Sequence, residues 1–116
     1  MASAGPCRFF QANLNHSAKA QDLLCQHLAE WSIDLAVVAE PYLVHERANW
    51  LGDWDGSVAV IGGGGPRALP LSLIERGDGY VAARWGEIVV IGVYAPPPEQ
   101  RPRLIRRLAR EGGVGR

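Results

Sequence analysis

The chain has no stretch of about eighteen uninterrupted apolar residues, the minimum for a membrane-spanning helix. Its start, Met1-Ala2-Ser3-Ala4-Gly5-Pro6, lacks the basic flank and apolar core of a secretory signal. These absences point to an intracellular chain without a membrane partner. Cysteine is scarce: Cys7 and Cys25 lie in apolar surroundings without CxxC or His-paired spacing, so buried free thiols are expected rather than a disulfide or a zinc site. No internal repeat is visible. Gly62-Gly63-Gly64-Gly65 lacks a following GK[ST] or helix start, and reads as a flexible hairpin connection rather than a phosphate loop.

What is present is globular. Hydrophobic residues make up 47% and charged residues 21% of 116 residues, enough for one core and one domain. The net charge of zero conceals an asymmetry. Residues 1–98 carry six Arg/Lys against ten Asp/Glu, whereas residues 99–116 carry six Arg against two Glu. A basic tail therefore follows an acidic body. Such a tail can meet a nucleic-acid backbone, although an exposed helix face studded with arginine is the more ordinary reading. The chain divides into an N-terminal extension (1–7), a domain portion (8–98) and the basic tail (99–116).

Residues 8–14 predict a short strand running out into Asn13, Asn15 and His16. From Ser17 onward, Ala20, Leu23, Leu24, His27, Leu28 and Trp31 recur at helical spacing and predict about four turns of helix. Residues 33–39 are almost continuously apolar, as in a central strand buried on both faces, and end on Glu40-Pro41. Strand, helix and strand make a βαβ unit that places Asn13 and Glu40 at carboxyl ends of strands, the edge where open α/β sheets bind ligands. Residues 42–55 read as a loop pinned by Trp50 and Trp54. Residues 57–61, 80–85 and 88–94, with a weaker segment at 69–76, read as a meander of strands. Ala95-Pro96-Pro97-Pro98 ends the last one, because proline cannot donate to a ladder. Residues 101–110 predict a short helix, and the glycines at 112, 113 and 115 end it.

Three strand ends carry polar residues: Asn13 with Asn15, Glu40, and Tyr94. An ionised carboxylate at the end of an apolar strand needs a cation or donors beside it. Glu40 therefore reads equally as a structural cap or as a metal ligand. Asn13 and Asn15, taken singly, read as turn formers, Tyr94 as a half-buried strand residue with a satisfied hydroxyl, and His16 and His45 as exposed loop residues.

The ordered motifs Gln11-Ala12-Asn13-Leu14-Asn15-His16, Val38-Ala39-Glu40-Pro41-Tyr42 and Gly92-Val93-Tyr94-Ala95-Pro96 resemble the endonuclease/exonuclease/phosphatase family. The wording of QANLNH, AQDLL, AVVAEPY, GSVAV and GYVAARWGEIVVIGVYAPP is closest to the endonuclease domain of arthropod non-LTR retrotransposons. The resemblance covers about residues 8–97. It implies an α/β fold, the N-terminal half of a four-layer αββα, DNase I-like sandwich with a mixed β-sheet and flanking helix. It implies Asn13 and Glu40 as ligands of Mg²⁺ or Mn²⁺, Tyr94 as a contact to the scissile phosphate, and Asn15 lining the same pocket. Tyr42, beside Glu40, is a candidate DNA contact. The implied partners are DNA and, in a full-length element, a reverse transcriptase in the same polyprotein. The implied location is the nucleus.

The family's later motifs, a GDxN, an internal Asp and an SDH, do not follow Tyr94. Gly52-Asp53-Trp54-Asp55 precedes Tyr94 and has Asp where Asn belongs, so it reads as a loop. The expectation is a truncated metal-dependent nicking endonuclease, inactive alone. The alternatives are a non-catalytic nucleic-acid-binding module or an inactive relic, and, ranked lower, an inositol phosphatase. An isolated half-fold is further expected to leave a sheet face uncovered among Val58, Val60, Val81, Ala83, Val89, Ile91 and Val93.

Overall fold

The computed structural model describes residues 7–66 and 68–94. Most of the N-terminal extension, the proline-rich exit, the helix expected at 101–110 and the basic tail lie outside the described residues.

Strand β1 (Phe9–Asn13) leads into helix α1 (Ala18–Glu30) and then into β2 (Leu35–Ala39). The two strands pair in parallel, with Asn13 opposite Ala39. Ser17 caps the helix: its hydroxyl accepts from the Ala20 amide at 3.1 Å, satisfying one of the amides that a helix start leaves unpaired. The chain continues through β3 (Trp50–Gly52) and β4 (Val58–Gly62), completing a four-stranded sheet in the order β1-β2-β4-β3. A separate antiparallel sheet contains β5 (Leu71–Gly77), β6 (Tyr80–Trp85) and β7 (Ile88–Val93) in sequence order.

Two apolar interfaces hold these pieces in layers. On one face of the first sheet, Leu24 of the helix joins Leu14, Ala36, Val38, Trp50, Ala59 and Ile61, with Ala20 and Leu28 packed around them. On the other face, Leu35, Val58 and Val60 meet Val81 and Trp85 of the second sheet. The period-2 alternation of strands explains the split: within β2, Ala36 and Val38 turn to the helix while Leu35 and Val37 turn to the second sheet. The result is helix on sheet on sheet, a mixed α/β arrangement compatible with a partial DNase I-like fold. No second helical layer occurs among the described residues.

Several expectations are corrected. The segment at 57–61 forms β4 and belongs to the first sheet, so the meander is β5-β6-β7 alone. The loop at 42–55 contains β3, because Trp50 is buried against the helix-side core; the Trp54 side chain is 67% exposed, and its turn is held instead by the Trp54 amide, which donates to Gly77 O at 3.1 Å. The glycine run is a connection between sheets, not a hairpin: a Cβ on Gly63 would collide with the Ile33 carbonyl, and the Gly63 amide donates to Asp34 O at 2.8 Å. Both cysteines are free, but both are exposed. Although the Cys25 residue is exposed, partial desolvation of its thiol and then the Asp22 charge push that thiol up, against the opposing Arg47. Val58, Val60, Val81 and Ala83 are fully buried between the sheets, leaving only Val89, Ile91 and Val93 of the expected set exposed, on the outer face of β7.

Candidate functional site

The turns that follow β1, β2, β3, β5 and β7 gather at one end of the layers. Leu14 N donates to Ala39 O at 2.9 Å, and His16 N donates to Glu40 O at 2.8 Å, so the turns after the two parallel strands lie side by side. Asn15, His16 and Glu40 all adopt left-handed backbone conformations, with φ of 50°, 58° and 50°. Three non-glycine residues in this sparsely populated region at one edge are tolerated because backbone bonds from both flanks hold them. The left-handed step at Glu40 ends the strand's alternation and turns its carboxylate toward the second sheet.

There the Tyr94 hydroxyl, one residue beyond β7, donates to Glu40 Oε2 at 3.1 Å. The Tyr94 phenol is pushed above its ordinary value by burial first, then by the bond it donates to Glu40 and by that carboxylate's negative charge. His16 lies on the other side, with Nε2 3.9 Å from Glu40 Oε1 and Nδ1 3.3 Å from Pro41 O. Asn13 Oδ1 accepts from Asn15 N at 2.9 Å, which is a turn-forming bond. Asn13 also borders a shallow depression of about 310 Å³ with Gln11, Val37, Ala39, Val58 and Val93.

The structure thus brings Glu40 and Tyr94 into direct contact and sets Asn13 and Asn15 on the neighbouring strand end. Tyr42 does not join them: its side chain is 59% exposed and its amide is directed away, to Gln21.

Sequence reasoning passed over two residues that build this end. Asp53 is buried, and its carboxylate accepts from Ser57 N at 2.8 Å, Ser57 Oγ at 2.5 Å, Val58 N at 3.3 Å and Gly79 N at 2.8 Å. These bonds close a circuit. Glu40 N donates to Ser57 O, Ser57 N to Asp53, Gly79 N to Asp53, Tyr94 N to Gly79 O, and Tyr94 Oη back to Glu40. Asp53 therefore fixes the second sheet, and Tyr94 with it, relative to Glu40. The signal was an Asp three residues before a Gly-Ser turn, a placement that favours side-chain-to-backbone bonding.

Gln21 is the other. Buried on the helix, its Oε1 accepts from Tyr42 N at 2.8 Å and Leu43 N at 3.2 Å, and its Nε2 donates to Leu43 O at 2.8 Å. It holds the chain that leaves Glu40. Its place three residues before Leu24 and seven before Leu28, on the apolar stripe, marked it as buried.

Among solved structures, the chain is similar to the endonuclease domain of TRAS1, a telomere-specific non-LTR retrotransposon, at 27% identity with a TM-score of 0.60. That likeness supports a nuclease-like origin. It covers 96% of this chain and 56% of that domain, so the chain spans about half the length of its neighbour. No family model and no curated protein matches the sequence. No helix among the described residues is long and apolar enough to cross a membrane.

Proposed function

We propose that this chain is the Glu40-bearing portion of a divalent-metal-dependent DNA endonuclease domain of a non-LTR retrotransposon, inactive until the remaining portion of the domain is supplied. The observation that carries the reading is the Tyr94–Glu40 contact at 3.1 Å beside the Asn13 strand end, in a chain that superposes on an endonuclease domain.

The donor chemistry suits Mg²⁺ or Mn²⁺. Among the described residues no group of three or more His, Cys, Asp or Glu could hold a metal. Mg²⁺ does not require one, since it is commonly held by one or two carboxylates, waters and substrate phosphate oxygens. Glu40 and the Asn13 amide oxygen are the hard oxygen donors that would hold it. When bound, the ion would offset phosphate charge and stabilise oxygens as the P–O bond breaks. Tyr94, its phenol kept protonated, would donate to a phosphate oxygen, and Glu40 would exchange that donor for the cation. A general base and further transition-state donors, each contributing orders of magnitude, belong to the motifs absent after Tyr94. DNA as substrate, a nuclear location and a polyprotein shared with a reverse transcriptase belong to the same reading.

The test is a chimera that joins this chain to the remaining portion of the TRAS1 domain, assayed on supercoiled DNA, alongside Mn²⁺ binding by the chain itself. Nicking that needs Mg²⁺ or Mn²⁺, and that is nearly lost together with Mn²⁺ binding in Glu40→Gln, is expected because the amide keeps the shape and removes the charge. Undiminished cleavage in that variant makes Glu40 structural. Salt-dependent DNA binding by the chain with no response to metal supports a non-catalytic binding module instead.

A further inference from the structure

Strand β7 forms one edge of its sheet, and among the described residues no strand pairs with its outer side. Hydrogen bonding fixes which of its backbone groups face that edge. Tyr94 N donates to Gly79 O at 2.8 Å, a bonded pair one step beyond Tyr80 and Val93 in the antiparallel register. Bonded and non-bonded pairs alternate along such a ladder. Ile88, Val90 and Gly92 therefore turn their amides and carbonyls to β6, whereas Val89, Ile91 and Val93 turn theirs to the open edge. Edge strands that stay bare are commonly guarded by charge, proline or a bulge. β7 has no charged residue or proline, and its register with β6 is unbroken.

The first sheet supplies a floor beside that edge. A Cβ on Gly92 would meet Val37 of β2 and Val58 and Val60 of β4, so β7 lies above those two strands. β1 lies beyond β2 and projects one strand further. Phe9, Gln11 and Asn13 are exposed on the face of β1 that continues Leu35 and Val37, the face turned to the second sheet. The space above β1 and beside β7 is thus about one strand wide. Its far end is the depression of about 310 Å³ between Gln11, Asn13 and Val93. Pairing of β7 with β7 of a second copy is obstructed, because the projecting β1 of each copy would meet that of the other. A single strand meets no such obstacle.

We propose that this slot receives one extended strand from the remaining portion of the domain, hydrogen-bonded to Val89, Ile91 and Val93 and lying over β1. This rests on the reading of the chain as part of a larger endonuclease domain; the chain covers 56% of the TRAS1 domain, which leaves further polypeptide to supply the strand. The residues of that strand on the outer face would continue the aliphatic row of Val89, Ile91 and Val93, so they should be apolar and uncharged.

The test is amide exchange in the 116-residue chain and in its chimera with the remaining portion of the TRAS1 domain. Val90 and Gly92 should exchange slowly in both. Val89, Ile91 and Val93 should exchange freely in the chain and at least about tenfold more slowly in the chimera, the factor to which one hydrogen bond corresponds. Ile91→Pro removes an edge amide but no bond to β6. It should leave the melting temperature of the chain unchanged, yet lower that of the chimera and restore exchange at Val89 and Val93. Equal edge exchange in chain and chimera overturns the proposal, as does an equal melting shift in both Ile91→Pro proteins. Edge protection that rises with the concentration of the chain alone overturns it in favour of a second copy. Nicking by the chimera reports separately: protected edge amides without metal-dependent nicking keep the strand and remove the nuclease, and nicking with free edge amides does the reverse.

Discussion

Replacing Asp53 with alanine tests whether one carboxylate couples the two sheets at the candidate site. The wild-type side chain is 6% exposed and accepts four hydrogen bonds, three from backbone amides and one from the Ser57 hydroxyl. A bond to a charged acceptor contributes about 1.5–3 kcal/mol net, and a buried donor left unpaired costs about 1–3 kcal/mol. The contributions are not additive, because Ser57 Oγ can turn to water while the Gly79 and Val58 amides cannot. A loss of about 3–5 kcal/mol is expected, a large share of the roughly 5–15 kcal/mol that stabilises a small domain. Asp53→Asn is the finer instrument. The amide keeps an oxygen for Ser57 N and Val58 N but sets a donor against the Gly79 N–H, so about 1–3 kcal/mol should go. The effect should be concentrated in the second sheet. Urea unfolding gives the first number, and hydrogen exchange at Gly79 and Tyr94, the two amides of the circuit that flank that sheet's strands, gives the second. A loss under about 1 kcal/mol in Asp53→Ala, or unchanged exchange at Gly79 in Asp53→Asn, would refute the coupling.

Three further outcomes follow from the same geometry. Tyr94 should ionise only above the ordinary phenol value of 10.0, because burial and the Glu40 bond favour its protonated form. The stability from that bond is therefore complete below this value and is lost as pH rises through the raised one; a tyrosine absorbance titration in which Tyr94→Phe leaves the late-titrating phenol in place would contradict this. Gln21→Leu should cost about 1–3 kcal/mol by stranding the Tyr42 and Leu43 backbone groups, with faster amide exchange at those two positions than along the helix; uniform exchange would show that Gln21 only packs. Val89, Ile91 and Val93, each about half exposed on the outer face of β7, should bind a hydrophobic dye and promote self-association. Val89→Thr with Ile91→Thr should reduce both, and a dye-silent monomer before substitution would defeat that expectation.

The parts of the fold readable from sequence were those where one physical signal dominates. The 3.6-residue stripe located α1, the continuous apolar run located β2, and their order announced the parallel pair. The strand ends at Asn13, Glu40 and Tyr94 were readable for the same reason, as polar residues closing apolar runs. Sheet membership was not readable, because β4 is apolar on both faces and alternation cannot tell which neighbour each face meets. β3 was hidden by its three-residue length within a polar loop. Asp53 and Gln21 were missed because their importance lies in bonds to backbone groups 26 and 22 residues away, which no local pattern encodes. The role of Gly92 was likewise tertiary: a Cβ there would meet Val58 and Val37 at 3.1 and 3.2 Å, so the glycine lets β7 approach the first sheet.

The layering also bears on the expectation of an incomplete domain. The expectation of an uncovered sheet treated the chain as one sheet waiting for another. Instead the described residues supply both sheets, and Val58, Val60 and Val81 lose all exposure between them. Burying a valine stabilises by about 1.5–3 kcal/mol, and both sides of that interface come from the described residues. What remains uncovered is the outer side of the second sheet. The Glu40–Tyr94 contact is made across the interface that is already closed, since Glu40 leaves the first sheet and Tyr94 the second. The candidate site is thus preorganised by the packing between the two sheets; under the proposed function, the contacts needed for turnover would come from the remaining portion of the domain. On this architecture, folding and metal binding should be separable from catalysis: Glu40→Gln alters the second and third while leaving the first to Asp53 and the valines between the sheets.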